Sequence, residues 1–313
     1  MKKLYGIVGP TASGKTGAAI ELCRRLRGEI VSADSMQIYK GMRILSAQPT
    51  EEELKQAPHH LVSFVSPETK FDAIKYREAA DTAIAEIESR GVLPILCGGT
   101  GLYVDALTKD MKMSEEADPV LRKKLLDIAA EPDGEERLHS MLAKVDSVSA
   151  EKYPANDVRR VIRSLEIYYA TGKPRCVSEE QDQQRPDRYD AVLFALKWDR
   201  DELYERINRR VDVMLKDGLI EEVRLLMQAD ESVRQTAAQA IGFKEIRDAL
   251  EGRVSMKEAI ENVKTNSRHL AKRQETWFKR DKRVRWIEAD GESMKNAVDE
   301  IYRQIREDMR ING

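Results

Sequence analysis

The chain of 313 residues has only three cysteines, Cys23, Cys97 and Cys176, all far apart, and four histidines that form no metal spacing. That excludes a disulfide framework and a close-paired zinc site. No uninterrupted apolar run approaches the roughly 20 residues that a membrane span needs, and the stretch after Met1-Lys2-Lys3 is too short for an export signal. The expectation is a cytoplasmic protein with no membrane partner. A formal net charge of −2 leaves no global positive excess for indiscriminate nucleic-acid binding. Internal repeats and long low-complexity tracts are absent as well.

What is present begins with Gly9-Pro10-Thr11-Ala12-Ser13-Gly14-Lys15-Thr16. The run fits G-x-x-x-x-G-K-[ST] and lies between the apolar stretch Leu4 to Val8 and the helix-like Ala18 to Leu26. Glycines let backbone N–H groups converge on phosphate oxygens at a helix N-terminus, Lys15 adds a mobile positive charge, and the Thr16 hydroxyl can ligate magnesium. A loop of this nucleotide-binding, ATP-binding type implies a polyphosphate without saying which one.

Hydrophobic residues make up 41% of the chain and charged residues 35%, the balance of a globular protein with room for more than one module. Apolar runs at Tyr5 to Val8, Ile30 to Ser32, Leu61 to Val65, Leu93 to Cys97 and Val192 to Leu196 read as short buried strands. Helical patterns lie between them at Thr16 to Leu26 and Ile74 to Ser89. The alternation predicts a P-loop NTPase-like α/β fold, a parallel sheet with helices on both faces. From about Met113 to Thr171 the pattern is helical only, so a core of 1–112 and 172–313 is expected to carry a helical insertion at 113–171. The polar run Ser178 to Asp190 reads as a mobile surface connection. Beyond Asp199 the chain is mostly helical, with Val284 to Ile287 as a last strand and Ser293 to Met309 as a final helix.

The second strand ends in Ser32-Ala33-Asp34-Ser35-Met36-Gln37, which puts Asp34 at the carboxyl edge of the sheet, where such folds bind ligands. An isolated aspartate there can equally cap a turn. Leu93 to Cys97 runs into Gly98-Gly99-Thr100-Gly101-Leu102-Tyr103, a second glycine-rich turn at the same edge. Nucleotide hydrolases commonly end a neighbouring strand with an acid for magnesium, whereas this one ends in Cys and Gly, so hydrolysis loses weight. Its glycines allow close backbone approach and Thr100 can hydrogen-bond a ligand, a tight structural turn being the plain alternative.

Basic residues gather on two predicted helices. In Asn156 to Ala170, Arg159, Arg160 and Arg163 oppose the apolar Val158, Ile162, Leu165 and Tyr169. In Asn266 to Arg285, Arg268, Lys272, Lys279 and Arg283 share a stripe opposite Leu270, Gln274, Trp277 and Phe278. Solvated helix faces look the same, but two of them with a polyphosphate site suggest contact with a phosphate-rich polymer. Trp198, Trp277 and Trp286 stand in apolar segments and read as core.

Several segments together resemble the bacterial tRNA dimethylallyltransferases: Gly9 to Thr16, Ser32 to Ser35, Gly98 to Tyr103, Leu165-Glu166, Thr171 to Pro174, Gln239 to Glu245, Lys272 to Gln274 and Trp277-Phe278. The likeness spans nearly the whole chain. It implies transfer of a dimethylallyl group from dimethylallyl diphosphate to N6 of the tRNA adenosine just 3′ of the anticodon, with Mg2+ as cofactor. By the resemblance the diphosphate sits in the loop from Gly9 to Thr16, Thr16 holds the metal, and Asp34, Thr100 and Arg210 are the catalytic residues, Asp34 as base. Asp34, Ser35, Met36, Gln37, Thr100, Arg122, Arg159, Arg160, Val161, Ile162 and Arg163 align with regions that contact tRNA. The insertion would clamp the anticodon stem-loop of a base flipped out for reaction, and the enzyme is taken as a monomer.

Three other readings share parts of this pattern. A small nucleoside or nucleotide kinase would use the loop and the sheet but leaves the acid-free Gly-Gly-Thr turn and the basic helices unexplained. A GTP switch that binds RNA would need D-x-x-G and a guanine-reading motif, for which Thr69-Lys70-Phe71-Asp72 comes too early. A transferase that prenylates free adenine nucleotides would need neither the large insertion nor the basic helices.

Overall fold

The computed structural model describes residues 1–111, 118–177, 180, 185–290 and 294–312. Their fold divides into two compact units, one of Met1–Thr108 with Arg188–Gly313 and one of Lys109–Asp187. The second unit therefore extends beyond 113–171 on both sides, although its stretch from 112 to 117 lies outside the described residues.

The first unit opens with β1 (Lys2–Val8), α1 (Lys15–Leu26), β2 (Gly28–Ser32), α2 (Glu51–Gln56), β3 (His59–His60), α3 (Ala73–Ser89), β4 (Leu93–Gly98) and α4 (Gly101–Thr108). The second unit holds α5 (Pro119–Ala129), α6 (Gly134–Val145), α7 (Ser147–Lys152) and α8 (Val158–Thr171). The chain then returns to the first unit with β5 (Tyr189–Lys197), α9 (Arg200–Lys216), α10 (Leu219–Met227), α11 (Glu231–Ala237), α12 (Phe243–Leu250), α13 (Met256–Lys279), β6 (Val284–Glu288) and α14 (Met294–Asn312). Among the described residues no helix is long and apolar enough to cross a membrane.

The six strands form one sheet in the order β3-β2-β4-β1-β5-β6, and every pairing is parallel. Leu4, Ile7, Val8, Val31, Ile95, Leu96, Leu193 and Phe194 are all buried, so both sheet faces are covered. Alternation assigns the faces. Tyr5, Ile7, Ile30, Ile95, Cys97, Val192, Phe194 and Leu196 share one core with α1 residues Ala19, Leu22 and Cys23 and with α14 residues Ile301 and Ile305. The opposite face carries Leu4, Val31, Leu96 and Leu193, and α3 and α4 also pack on the strands. Continuous apolar runs are what such doubly covered parallel strands require. The parallel arrangement brings the ends of β1, β2 and β4, and with them both glycine-rich turns, to one edge.

Two sequence expectations fail for local reasons. Leu61 to Val65 is not a strand, because Leu61 and Ser63 have φ of 63° and 50°, outside extended geometry. Only His59–His60 pairs with β2, and Val65 makes an isolated bridge to Tyr39. The expected helix Asn266 to Arg285 begins earlier and ends earlier. Ser255 caps its start by accepting from Glu258 N–H, and Asp281 accepts from Arg283 N–H at 3.0 Å just past its end, so Val284 and Arg285 belong to β6. The polar run from Ser178 lies largely outside the described residues, as does Ser293 of the last helix.

The second unit has its own core. Leu125, Leu138, Leu142, Val161, Ile162 and Leu165 are buried together, and Asp157 and Gly172 mark the two ends of α8, the glycine at φ 69°. That left-handed residue is the usual way to terminate a helix.

Candidate active site

The phosphate loop is held by its carbonyls. Lys15 Nζ donates to Pro10 O at 3.0 Å, Arg206 Nε to Ala12 O at 2.9 Å, and Trp198 Nε1 to Ser13 O at 2.9 Å. Arg206 also lies over the Trp198 ring, 4.0 Å from its centroid. Three carbonyls are thus tied to side chains, and the Thr11 and Ser13 amides donate to Gln274 Oε1 and Pro10 O. The amides of Gly14 to Thr16 stand at the start of α1, where a helix N-terminus favours anions. The backbone bends to do this at Gly9 (φ 126°), Ala12 (φ 61°) and Gly14 (φ 90°). A left-handed alanine costs on the order of 1 kcal/mol, and strain of this kind persists where the surroundings fix it.

Beside the loop lies a cavity of about 550 Å³ lined by Lys15, Thr16, Arg43, Arg206, Arg209 and Arg210, with Glu53 and Asp217 as its acidic members. Positive walls of low dielectric focus field and concentrate anions. Burial holds the Lys15 ammonium below its ordinary pKa, with Arg210 pushing the same way and Cys97 and Asp34 opposing. Burial also lowers Arg210, against Asp34 and Glu53. Arg210 Nη1 reaches Thr11 Oγ1 and Nη2 reaches Ala47 O, each at 3.4 Å, which fixes the guanidinium against the loop. Among the described residues neither Lys15 nor Arg210, both half-buried, forms an ion pair with a carboxylate, and a bound polyanion would offset their charge.

Asp34 lies in the turn after β2 and does cap it: Oδ1 accepts from Met36 N–H at 2.9 Å and from Gln37 N–H at 3.3 Å. Among the described residues Oδ2 receives no hydrogen bond, so the cap leaves half of the carboxylate for chemistry. The turn-capping reading of this aspartate is the one the contacts show. Thr100 belongs to the same constellation. Its Oγ1 accepts from Ser35 N–H at 3.0 Å, and its own N–H donates to Ala33 O at 3.0 Å. The β4 turn thus positions the β2 turn.

Among the described residues no group of three or more His, Cys, Asp or Glu could hold a metal ion. Thr16 lines the cavity beside Lys15, whereas Ser13, whose buried Oγ has no hydrogen-bond partner, does not line it. A single hydroxyl at the cavity fits a magnesium ion that is held mainly by phosphate oxygens and water, rather than an all-protein cage.

Sequence reading gave no role to Gln274 or Arg206, which lie outside the loop motif, and did not foresee the strain at Ala12, which lies inside it. Gln274 comes from α13, far along the chain, and accepts from Thr11 N–H at 2.8 Å while donating to Gly99 O at 3.0 Å. Trp277, expected in the core, is 43% exposed; its ring edge packs where a Gly101 Cβ would stand and Nε1 donates to Asp105 Oδ2 at 3.1 Å. Trp198 is buried as expected, and Trp286 is half-buried. Arg283, expected on the basic stripe, lies beyond the helix, largely buried against Asp281 and Asp105.

In the helical unit Arg159 and Arg160 are exposed, and Arg160 pairs with Asp157. Glu166, 1% exposed, takes Arg122 at 3.1 Å and Arg163 at 3.3 Å. Val161 and Ile162, included in the expected RNA-contacting run, are buried in the unit's core. Helix periodicity turns them inward, and Arg159 and Arg160 are the members of this run whose side chains are exposed.

A family model described as IPP transferase matches residues 37–281. A tRNA dimethylallyltransferase of Geobacillus thermodenitrificans is 46% identical over 314 residues, covering 99% of this chain and 98% of that protein. One from Bacillus subtilis is 45% identical over 284 residues, 90% of this chain and 89% of that one. The crystal structure of the full-length tRNA isopentenylpyrophosphate transferase from Bacillus halodurans superposes with a TM-score of 0.70 at 40% identity, covering 98% and 96% of the two chains. A eukaryotic dimethylallyltransferase acting on tRNA gives 0.76 at 31% identity over 94% of this chain and 75% of that one.

Proposed function

The chain belongs to the IPP transferase family, and from that premise we propose how its own residues carry the reaction. The protein transfers a dimethylallyl group from dimethylallyl diphosphate to a tRNA adenosine near the anticodon. The acceptor atom is N6 of the adenosine just 3′ of the anticodon. Its amine attacks the first carbon of the allyl group, the carbon–oxygen bond to diphosphate breaks, and the amine proton passes to a carboxylate.

Lys15, the amides from Gly14 to Thr16, and Arg210 take the charge that builds on the departing diphosphate. Removing one such donor typically costs about 3 kcal/mol in the transition state. Oδ2 of Asp34 is the proton acceptor, because Oδ1 is committed to the turn. Thr100 holds Ser35, and so the Asp34 to Gln37 segment that meets the target base. Thr16, with the diphosphate oxygens, would hold magnesium, which supplies further charge neutralisation on the leaving group. Arg159, Arg160, Arg163 and Arg122 of the helical unit contact the phosphates of the anticodon stem-loop.

The observation that carries this reading is the loop whose carbonyls are tied back and whose amides border a cavity rich in arginine. The cavity is read as the donor's, although a loop of this type also accepts ATP. A monomer suffices, since Lys15, Asp34, Thr100 and Arg210 come from one chain, and the cytoplasm is where tRNA is found. The test mixes purified protein, radiolabelled dimethylallyl diphosphate and an anticodon stem-loop with adenosine or another base at the target position. Label enters the RNA only with adenosine; transfer independent of that base would refute the assignment.

A further inference from the structure

We propose that Gln274 is a positioning residue that sets the distance between the diphosphate loop and the turn that supports the base-side catalytic segment. The proposal rests on the reading of the loop as the diphosphate site. One primary amide makes both contacts, accepting from Thr11 N–H at 2.8 Å and donating to Gly99 O at 3.0 Å. Thr11 is the loop residue whose hydroxyl also meets Arg210, so its position bears on the loop and on the arginine together. Gly99 directly precedes Thr100, whose hydroxyl and amide hold Ser35 and Ala33 beside Asp34. Beside the direct pairing of β1 with β4 at Val8 and Gly98, a path from leaving-group cradle to proton acceptor therefore runs through this side chain.

The chemistry of the residue matters. Asn and Gln offer an acceptor and a donor on one planar amide that does not titrate, and Gln has the longer reach. A glutamate would keep the bond to Thr11 but would set a carboxylate oxygen against the Gly99 carbonyl. Gly99 is fitted to the same amide: a Cβ there would stand 2.3 Å from Gln274 Nε2. The base of the amide is firm, because Ala271 and Phe278 on the same helix are buried at 1% exposure each. The contact also spends the Thr11 amide, so diphosphate is held by the amides after it. Gln274 thus acts on the alignment of two substrates that are each bound by other groups.

Alignment errors near 1 Å can cost on the order of a hundredfold in rate with little change in binding. The experiment measures steady-state kinetics for Gln274→Ala, Gln274→Met, Gly99→Ala and the double variant Gln274→Ala/Gly99→Ala, with melting curves for each. Each single variant is expected to lose about 30-fold in kcat, while KM for dimethylallyl diphosphate and for the stem-loop stays within about threefold. Gln274→Met keeps the length and apolar stem, so it reports on the contact even if the alanine variant fails to fold. The double variant is expected to lose no more than the worse single one, because both changes break one contact.

Unchanged kcat in a folded Gln274 variant overturns the proposal. Losses that multiply in the double variant overturn it too, since they mark two separate packing defects. A loss confined to KM for the prenyl donor would make Gln274 a donor-binding residue instead. If the parent protein itself transfers no label from dimethylallyl diphosphate, the reading of the loop falls, an outcome distinct from an active parent with insensitive variants.

Discussion

The two glycine-rich turns at the sheet edge use glycine for different reasons. In the loop from Gly9 to Thr16, Gly9 and Gly14 have left-handed φ, and the backbone opens its amides toward a cavity. In Gly98-Gly99-Thr100-Gly101 none of the glycines has positive φ; each instead admits another part of the protein. A Cβ at Gly98 would stand 2.2 Å from Ala33 O, one at Gly99 would meet Gln274, and one at Gly101 would meet the Trp277 ring at 2.3 Å. The first turn joins positive φ to a neighbouring cavity, although Gly14 also admits Met294, whose Cε would stand 2.1 Å from a Cβ there; the second is filled by its own chain. A run of glycines therefore announces close approach, and only the φ values and neighbours tell whether a substrate or a side chain does the approaching.

This contrast can be broken by experiment. The largest effect is expected at Lys15→Ala, a loss of about a thousandfold in turnover at saturating tRNA with the melting temperature nearly unchanged, measured by label transfer and calorimetry. Next, Asp34→Asn should lower turnover by at least about a hundredfold while filter binding shows tRNA affinity retained. The asparagine can still accept the Met36 and Gln37 amides, so the turn survives and only the proton acceptor is lost. Gly98→Ala should act on stability first, costing about 3 kcal/mol in denaturant unfolding because backbone must move to admit the methyl group. A parent-like melt with dead chemistry would make the second turn a substrate site after all.

The smallest effect is in protons. Free Lys15 has a lowered pKa through burial, and a bound anion favours its charged form, so diphosphate binding should take up a fraction of a proton. Affinity should weaken as pH rises through the lowered pKa of the free protein. Calorimetry in buffers of different ionisation enthalpy reads the uptake directly; release instead of uptake would place the anion away from Lys15.

Much of the core was legible because the doubly covered strands are written as apolar runs: Tyr5 to Val8, Leu93 to Cys97 and Val192 to Leu196 all fall inside observed strands. The loop motif fixed Lys15 and Thr16 for the same reason, since its spacing reflects a strand–turn–helix geometry. Asp34 was legible as a strand-end residue, but that Oδ1 takes both turn amides was not. Leu61 to Val65 misled because an apolar run has no mark of left-handed φ. Trp277 misled because an aromatic covering a glycine looks, in sequence, like an aromatic in a core. Gln274 was legible only as part of the resemblance at Lys272 to Gln274; its contacts were not, because its partners lie 263 and 175 residues away in the chain. Arg159, Arg160 and Arg163 followed from helical spacing, which also explains why Val161 and Ile162 point inward.

The strand order has a consequence for synthesis on the ribosome. β1 is flanked by β4 and β5, and β5 in turn by β6. The phosphate-loop strand emerges first, yet one of its two neighbours is translated only after the whole helical unit. Lys3 and Tyr5 then wait for Asp308, near the chain's end, to form their contacts at 3.0 and 2.7 Å. A nascent chain stalled before residue 189 thus carries β1 with one naked edge, a sticky intermediate of the kind that chaperones shield, while the finished sheet closes only in the last moments of translation.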